Sequence, residues 1–116
     1  MHELGIVVHV IDQVEEAARE NQVDRVTRVV LEVGEVSSIV PEYFTDCFQW
    51  AKKRTEHLKD AELELILLEG VSYCRGCRET YKTVEFGRQC PHCGSWDTYL
   101  LTGDEITIKE IEAEGP

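Results

Sequence analysis

The chain has 116 residues, about one domain by length or one small domain carrying a smaller module. Its 12 Lys plus Arg stand against 23 Asp plus Glu, a formal charge of −11, which excludes general affinity for a phosphate backbone, because Lys and Arg supply that affinity. A charged fraction of 30% beside a hydrophobic fraction of 42% excludes a disordered chain, and the acid excess suits basic protein partners or cations, or serves solubility alone.

Residues 4–22 carry helical periodicity. Leu4, Val7, Val8, Ile11, Val14 and Ala18 fall on one face centred near Ile11, with His9, Gln13 and Glu16 opposite. If the helix runs back to position 2, His2 lies on the solvent side. No apolar run reaches the roughly 18 residues of a membrane span, and no basic n-region or cleavage site opens the chain, so a cytoplasmic protein without membrane contact is expected.

"DRVTRVVLEVG" (24–34) reads as a strand, with Val29, Leu31 and Val33 alternating and Gly34 stopping it. A loop, "EVSSIVPEYF", leads into a second helix with Pro41 in its first turn, where a missing N–H costs little. Its expected apolar stripe is Val40, Tyr43, Phe44, Cys47, Trp50, Ala51 and Leu58, with Cys47 as a small buried hydrophobe. "AELELILLEG" (61–70) reads as a second strand. The cysteine-bearing residues 71–101 follow, and "GDEITIKEIEAEG" resumes a strand pattern with Ile106 and Ile108.

That last strand is too short to form a domain alone, and most simply returns to the sheet of the first two. The expected fold is therefore α+β: a small mixed sheet of about three strands with two helices, plus an inserted zinc-ribbon domain. Residues 1–70 and 102–116 would form the α/β domain, and 71–101 the ribbon.

Within the insertion, Cys74 and Cys77 belong to "CRGC", Cys90 and Cys93 to "CPHCG", with twelve residues between the pairs. Two such turns bring four thiolates to the corners of a tetrahedron, the arrangement Zn2+ prefers. Five cysteines in a reducing compartment point the same way. A four-cysteine site leaves no open position, so the zinc would be structural; iron in the same cage is the other occupant. Gly76 and Gly94 should ease the backbone of the two turns, and His92 reads as an exposed filler, with a second metal or a partner contact as the alternative. Tyr73, Tyr81, Phe86, Trp96 and Tyr99 read as the small core of the ribbon.

The first residues, "MHELG", offer a different donor set. The amine of Met1, nearby amide nitrogens and the His2 imidazole can reach one ion without tertiary structure, and Glu3 can add an oxygen. Nitrogen-rich, nearly planar sets suit Ni2+ or Cu2+. His9 would lie roughly 10 Å along the helix, too far to share the ion. Alone, a His at position 2 is a weak signal.

Together, "MHELGIVVHVI", "VLEVGEVSSIVPEYF" and C-x2-C-x12-C-x2-C followed by a short strand resemble the HypA/HybF family of nickel-insertion accessory proteins, in order over essentially the whole chain. The resemblance implies a nickel-binding α/β domain with a zinc ribbon inserted before its last strand. It implies a metallochaperone, not an enzyme, with Ni2+ as cargo and no catalytic residues. The nickel ligand of the family maps onto His2, with Glu3 beside it, and the zinc cysteines onto Cys74, Cys77, Cys90 and Cys93.

The implied partners are a HypB-type GTPase and the [NiFe]-hydrogenase large subunit, with urease maturation served in some bacteria through its accessory proteins. A homodimer could form by exchange of the last strand. Some members carry an aspartate ligand in the loop before the second helix; here the matching position is Val40, and Glu42 is the nearest carboxylate. The competing readings are a zinc-ribbon nucleic-acid-binding or transcription module, disfavoured by the charge, a rubredoxin-like iron carrier, and a metalloenzyme, for which no open site is evident.

Overall fold

The computed structural model describes residues 2–116 and, at His2, the backbone alone. Met1 and the His2 side chain, both expected nickel donors, therefore lie outside the described residues. The elements run α1 (His2–Glu20), β1 (Arg25–Gly34), α2 (Pro41–Ala51), a 3-10 turn (Lys52–Arg54), β2 (Glu62–Leu68), β3 (Val71–Cys74), β4 (Thr80–Lys82), α3 (Thr83–Phe86), β5 (Thr98–Thr102) and β6 (Ile106–Glu114).

Two three-stranded sheets form, in the orders β2-β1-β6 and β4-β3-β5. Beside β1, the Val26 N–H donates to His57 O and the Glu35 N–H to Leu68 O, so partner numbers rise together and β2 runs parallel to β1. On the other side, the Asp24 N–H donates to Glu114 O and the Gly34 N–H to Glu105 O, so numbers fall and β6 is antiparallel. The sheet is mixed, as expected, and the last strand does return to it. A helical crossover of the length of α2 is what a parallel β1–β2 pair needs.

The chain divides into two compact units. One takes the chain through Leu31, Ile39–Ile66 and Thr107–Pro116; the other takes Glu32–Ser38 and Leu67–Ile106. In the first, α1 packs on α2, and the core is Val7, Val14, Val26, Val29, Phe44, Phe48 and Leu58, all essentially without exposure. Such side chains each contribute roughly 1.5–3 kcal/mol of burial, so this unit has a core of its own.

The polar face of α1 is where its periodicity placed it, with His9, Gln13 and Glu16 exposed, but the apolar face is corrected: Val8 is exposed and Val10 is buried. The stripe expected on α2 is corrected. Phe44, Phe48 and Ala51 are buried, while Val40, Tyr43 and Trp50 are exposed and Cys47 is only partly covered. The helix carries apolar residues on two faces, and the side containing Phe48 is the buried one, in a helix that packs on α1.

Where α2 ends, Thr55 turns the chain. Its hydroxyl donates to Lys52 O at 2.6 Å and accepts the Leu58 N–H at 3.0 Å. The buried carboxylate of Glu15 then holds the next residue at two points. It accepts the His57 N–H at 2.7 Å and faces the His57 ring Nδ1 at 2.6 Å, which fixes the ring tautomer as Nδ1–H because an ionised carboxylate can only accept.

In the second unit β3 is central, antiparallel to both neighbours, with Tyr73 opposite Thr80 on one side and Tyr99 on the other. Its buried cluster is Cys74, Tyr81 and Cys90, with Cys77 packed against it. The expected aromatic core is thus corrected: Tyr81 is buried, but Phe86, Trp96 and Tyr99 are exposed. Sulfur side chains occupy the centre that aromatic rings were expected to fill.

Candidate metal centres

The first C-x2-C pair sits in the turn between β3 and β4, the second in the segment between α3 and β5. Cys74 ends β3, and the Arg78 N–H donates back to Cys74 O at 2.8 Å; the Gly94 N–H donates to Cys90 O at 2.9 Å in the same pattern. Both turns then need a residue with positive φ. Gly94 supplies it in the second (φ 77°), as its type allows. In the first it is Arg78 (φ 63°) and not Gly76, a departure from the expected role of that glycine. Gly76 instead gives room: a Cβ there would press on Ser95 at 3.3 Å and approach the Cys74 sulfur at 3.5 Å.

These turns converge four sulfurs. The ligand atoms of Cys74, Cys77, Cys90 and Cys93 all lie within 4.8 Å of one another. Sγ–Sγ separations are 3.6 Å for Cys74 to Cys93 and 3.6 Å for Cys77 to Cys90, far beyond a disulfide. A tetrahedral zinc site with Zn–S bonds of about 2.3 Å requires S–S edges near ~3.8 Å. The His92 N–H donates to the Cys90 sulfur at 3.4 Å, the support a thiolate takes from its own turn. The His92 ring is exposed, with Nε2 3.1 Å from Thr80 O, outside the sulfur cage.

Electrostatics test the fit independently. The Cys77 backbone N–H outweighs the cost of desolvation at Cys74 and, with the neighbouring thiols, lowers that thiol to about 7. At Cys77 the Glu79 backbone N–H favours the thiolate, but desolvation and the three neighbouring sulfurs overcome it and push the thiol up to about 12. Cys93 is likewise raised: Ser95 stabilises its thiolate, and desolvation with Cys74 and Cys90 reverses that. One sulfur ionises readily and then holds its neighbours protonated. Four thiolates together need a cation at their centre, so this donor set fits Zn2+.

The expected N-terminal site is described only at Glu3. Its carboxylate is buried and accepts the Val40 N–H at 3.4 Å. That contact joins the first turn of α1 to the residue preceding Pro41, where the family resemblance expects an aspartate ligand in other members. Glu42 is exposed in the first turn of α2.

A second group that sequence reasoning missed joins Glu15, Glu56 and His57, again within 4.8 Å. Glu15 is already engaged by the His57 N–H and ring and by Arg19 at 3.7 Å. Its oxygens lock the chain after α2 rather than wait for an ion. No spacing signal marks it, since 42 residues separate Glu15 from His57.

A sequence model for "HypA: Hydrogenase/urease nickel incorporation, metallochaperone" matches residues 1–113 of the chain. The chain is 37% identical over 114 residues to the hydrogenase maturation factor HypA of Albidiferax ferrireducens, covering 98% of this chain and 100% of that protein. Against the protein of the same name from Dechloromonas aromatica the identity is 39%, with the same coverage. Among solved structures it is similar to that of the Ni metallochaperone HypA from Helicobacter pylori, with a TM-score of 0.74 at 26% identity over 98% of each chain.

Proposed function

The chain belongs to the HypA family of hydrogenase/urease nickel-incorporation metallochaperones, and from that premise we propose how it carries its cargo. It is a nickel metallochaperone of hydrogenase maturation. The observation that carries this reading is a match over residues 1–113, which takes in both the "MHE" start and the four-cysteine cluster.

Ni2+ is bound through the His2 imidazole, with the Met1 amine and nearby amide nitrogens completing a nitrogen-rich set and Glu3 adding an oxygen. The Glu3 contact with Val40 supports this, since it tethers the first turn beside the loop before α2. Nitrogen donors bind only when deprotonated, so affinity falls with pH. A site at a chain end passes its ion on by ligand exchange, whereas a closed sulfur cage keeps its own. Accordingly Cys74, Cys77, Cys90 and Cys93 hold a structural Zn2+ in the ribbon, 71–101, while 1–70 with 102–116 form the nickel-binding domain.

The protein acts as a carrier and not as an enzyme, in the cytoplasm. Among the described residues no helix is long and apolar enough to cross a membrane. Its partners are a HypB-type GTPase, the [NiFe]-hydrogenase large subunit that receives the ion, and urease accessory proteins where urease is served. A homodimer would form if the last strand, which pairs with β1 of its own chain here, were exchanged with a second copy. The test is calorimetric Ni2+ titration of the zinc-loaded chain, of His2→Ala, and of a variant with residues added before Met1. Both changes abolish specific Ni2+ binding and leave one zinc per chain. Unaltered nickel affinity in both overturns the site.

A further inference from the structure

The ribbon carries a cleft that the metal chemistry does not use. It encloses about 520 Å3 within the second unit, inside the range of ligand-binding pockets. Val36 and Leu100 give it apolar walls, and the paired hydroxyls of Ser72 and Thr83, 2.6 Å apart, are part of its lining. In such a pair one hydroxyl donates to the other, which leaves one O–H free to donate elsewhere. Trp96 stands at the cleft 70% exposed, with no aromatic or cation partner on its indole among the described residues. Tyr99, 42% exposed, is held in place by Arg75 over its ring at 4.6 Å and by Tyr73 at 5.5 Å.

Charge sharpens what this cleft can take. The whole chain is −11, yet residues 71–101 hold four Lys or Arg and three Asp or Glu, a balance of +1. Two of those cations are spent: Arg75 pairs with Asp97 at 3.1 Å and Lys82 with Glu69 at 3.7 Å. Arg88 lines the cleft, is exposed, and has no ion-pair partner among the described residues. Its backbone is fixed, with Arg88 O accepting the Thr98 hydroxyl at 2.6 Å. None of the residues lining the cleft is acidic.

From this we propose that the cleft is a docking site for a partner-protein segment carrying one carboxylate next to an aromatic or aliphatic side chain. The Arg88 guanidinium forks onto the carboxylate, the free hydroxyl of the Ser72–Thr83 pair donates to the same segment, and the apolar side chain packs between Trp96 and Tyr99. One uncompensated guanidinium matches one carboxylate. Nucleic acid and polyphosphates need several cations, and the lining of the cleft offers one. The assignment is independent of the nickel site.

The experiment uses the zinc-loaded full chain, 15N-labelled, titrated with the blocked peptide Gly-Phe-Asp-Gly and its Gly-Phe-Asn-Gly counterpart, with ATP and a single-stranded oligonucleotide in parallel. The Asp peptide shifts the Trp96 indole N–H and the Arg88 and Tyr99 amides but not the Trp50 indole. The Asn peptide binds at least about tenfold more weakly, as does the Asp peptide to Arg88→Gln, the loss expected for a charge-assisted pair. Trp96→Ala weakens the Asp peptide while keeping the sulfur-cluster resonances. Equal binding of the two peptides, indifference to both substitutions, no shift at the cleft, or tighter binding of ATP or oligonucleotide overturns the proposal. So does a cleft already closed by self-association, seen as Arg88-dependent dimerisation in sedimentation.

Discussion

Glu15 shows how much one carboxylate can organise. Burial works against its ionised form, but the His57 side chain, then the His57 amide, then Arg19 outweigh this and hold its pKa below the usual 4.5. A group whose folded pKa is depressed contributes stability that is complete above the unfolded value and is lost as pH falls through the folded one. Glu15→Gln keeps the shape but offers only one acceptor where two donors from His57 converge. It should lower stability at pH 7 by about 1–3 kcal/mol, the cost of leaving a buried donor unmatched. Urea denaturation from pH 7 to 3 should show this gap constant at neutral pH and closing below about 4.5, as the wild-type carboxylate itself takes up a proton. A gap that does not depend on pH would mean that packing, and not charge, makes the difference. None of this was legible in the sequence, where Glu15 is one acid on a helix rich in them. By contrast the four cysteines were legible individually, because two short spacings dictate where their sulfurs go.

On α2 the physical reason for a misreading is plain. Tyr43, Cys47 and Trp50 form one apolar line at helical spacing, and Phe44, Phe48 and Ala51 form another beside it. Periodicity identifies a helix in either case but does not choose the buried line. Tertiary packing does, and it buries Phe48 completely while leaving Trp50 52% exposed. Phe48→Ala should therefore cost about 3–5 kcal/mol. Trp50→Ala should cost only about 0.5–1 kcal/mol, chiefly from losing the Arg54 guanidinium stacked 3.9 Å from its ring centroid. Thermal melts of the two variants separate these values, and equal losses would return Trp50 to the core. The first helix was identified correctly because its polar residues His9, Gln13 and Glu16 cluster opposite an apolar face. Val10 is buried though outside the expected set, and Val8 is exposed though within it, so the buried face is rotated from the expected one. In the ribbon the expectation that aromatic rings fill the core failed for another reason: a metal-binding knuckle brings its own sulfur-lined centre, so rings there are released to the surface.

At the scale of the molecule, the two units differ in what holds them together. The first has large apolar side chains at its centre, Phe44, Phe48 and Leu58 among them, whereas the second has Tyr81 and the sulfurs around it. Without a cation those sulfurs are a poor core, because an ionised one holds its neighbours as thiols and none gains a bond. Structural zinc is worth roughly 10–16 kcal/mol in finger peptides at neutral pH, more than the whole stability of many domains. Chelation under reducing conditions should then act selectively. Amide exchange across 71–101 should rise to near unprotected rates, while α1 and α2 keep their protection and the far-ultraviolet helical signal changes little, since both long helices lie in the first unit. Cys74→Ser should reproduce the effect without chelator, and so should Cys93→Ser, although Cys74 is buried and Cys93 exposed. A core residue and a surface residue ordinarily differ greatly in their cost. Equal penalties would identify coordination as what the two share, and a mild Cys93→Ser phenotype with intact protection would show instead that packing around Cys74 holds the ribbon.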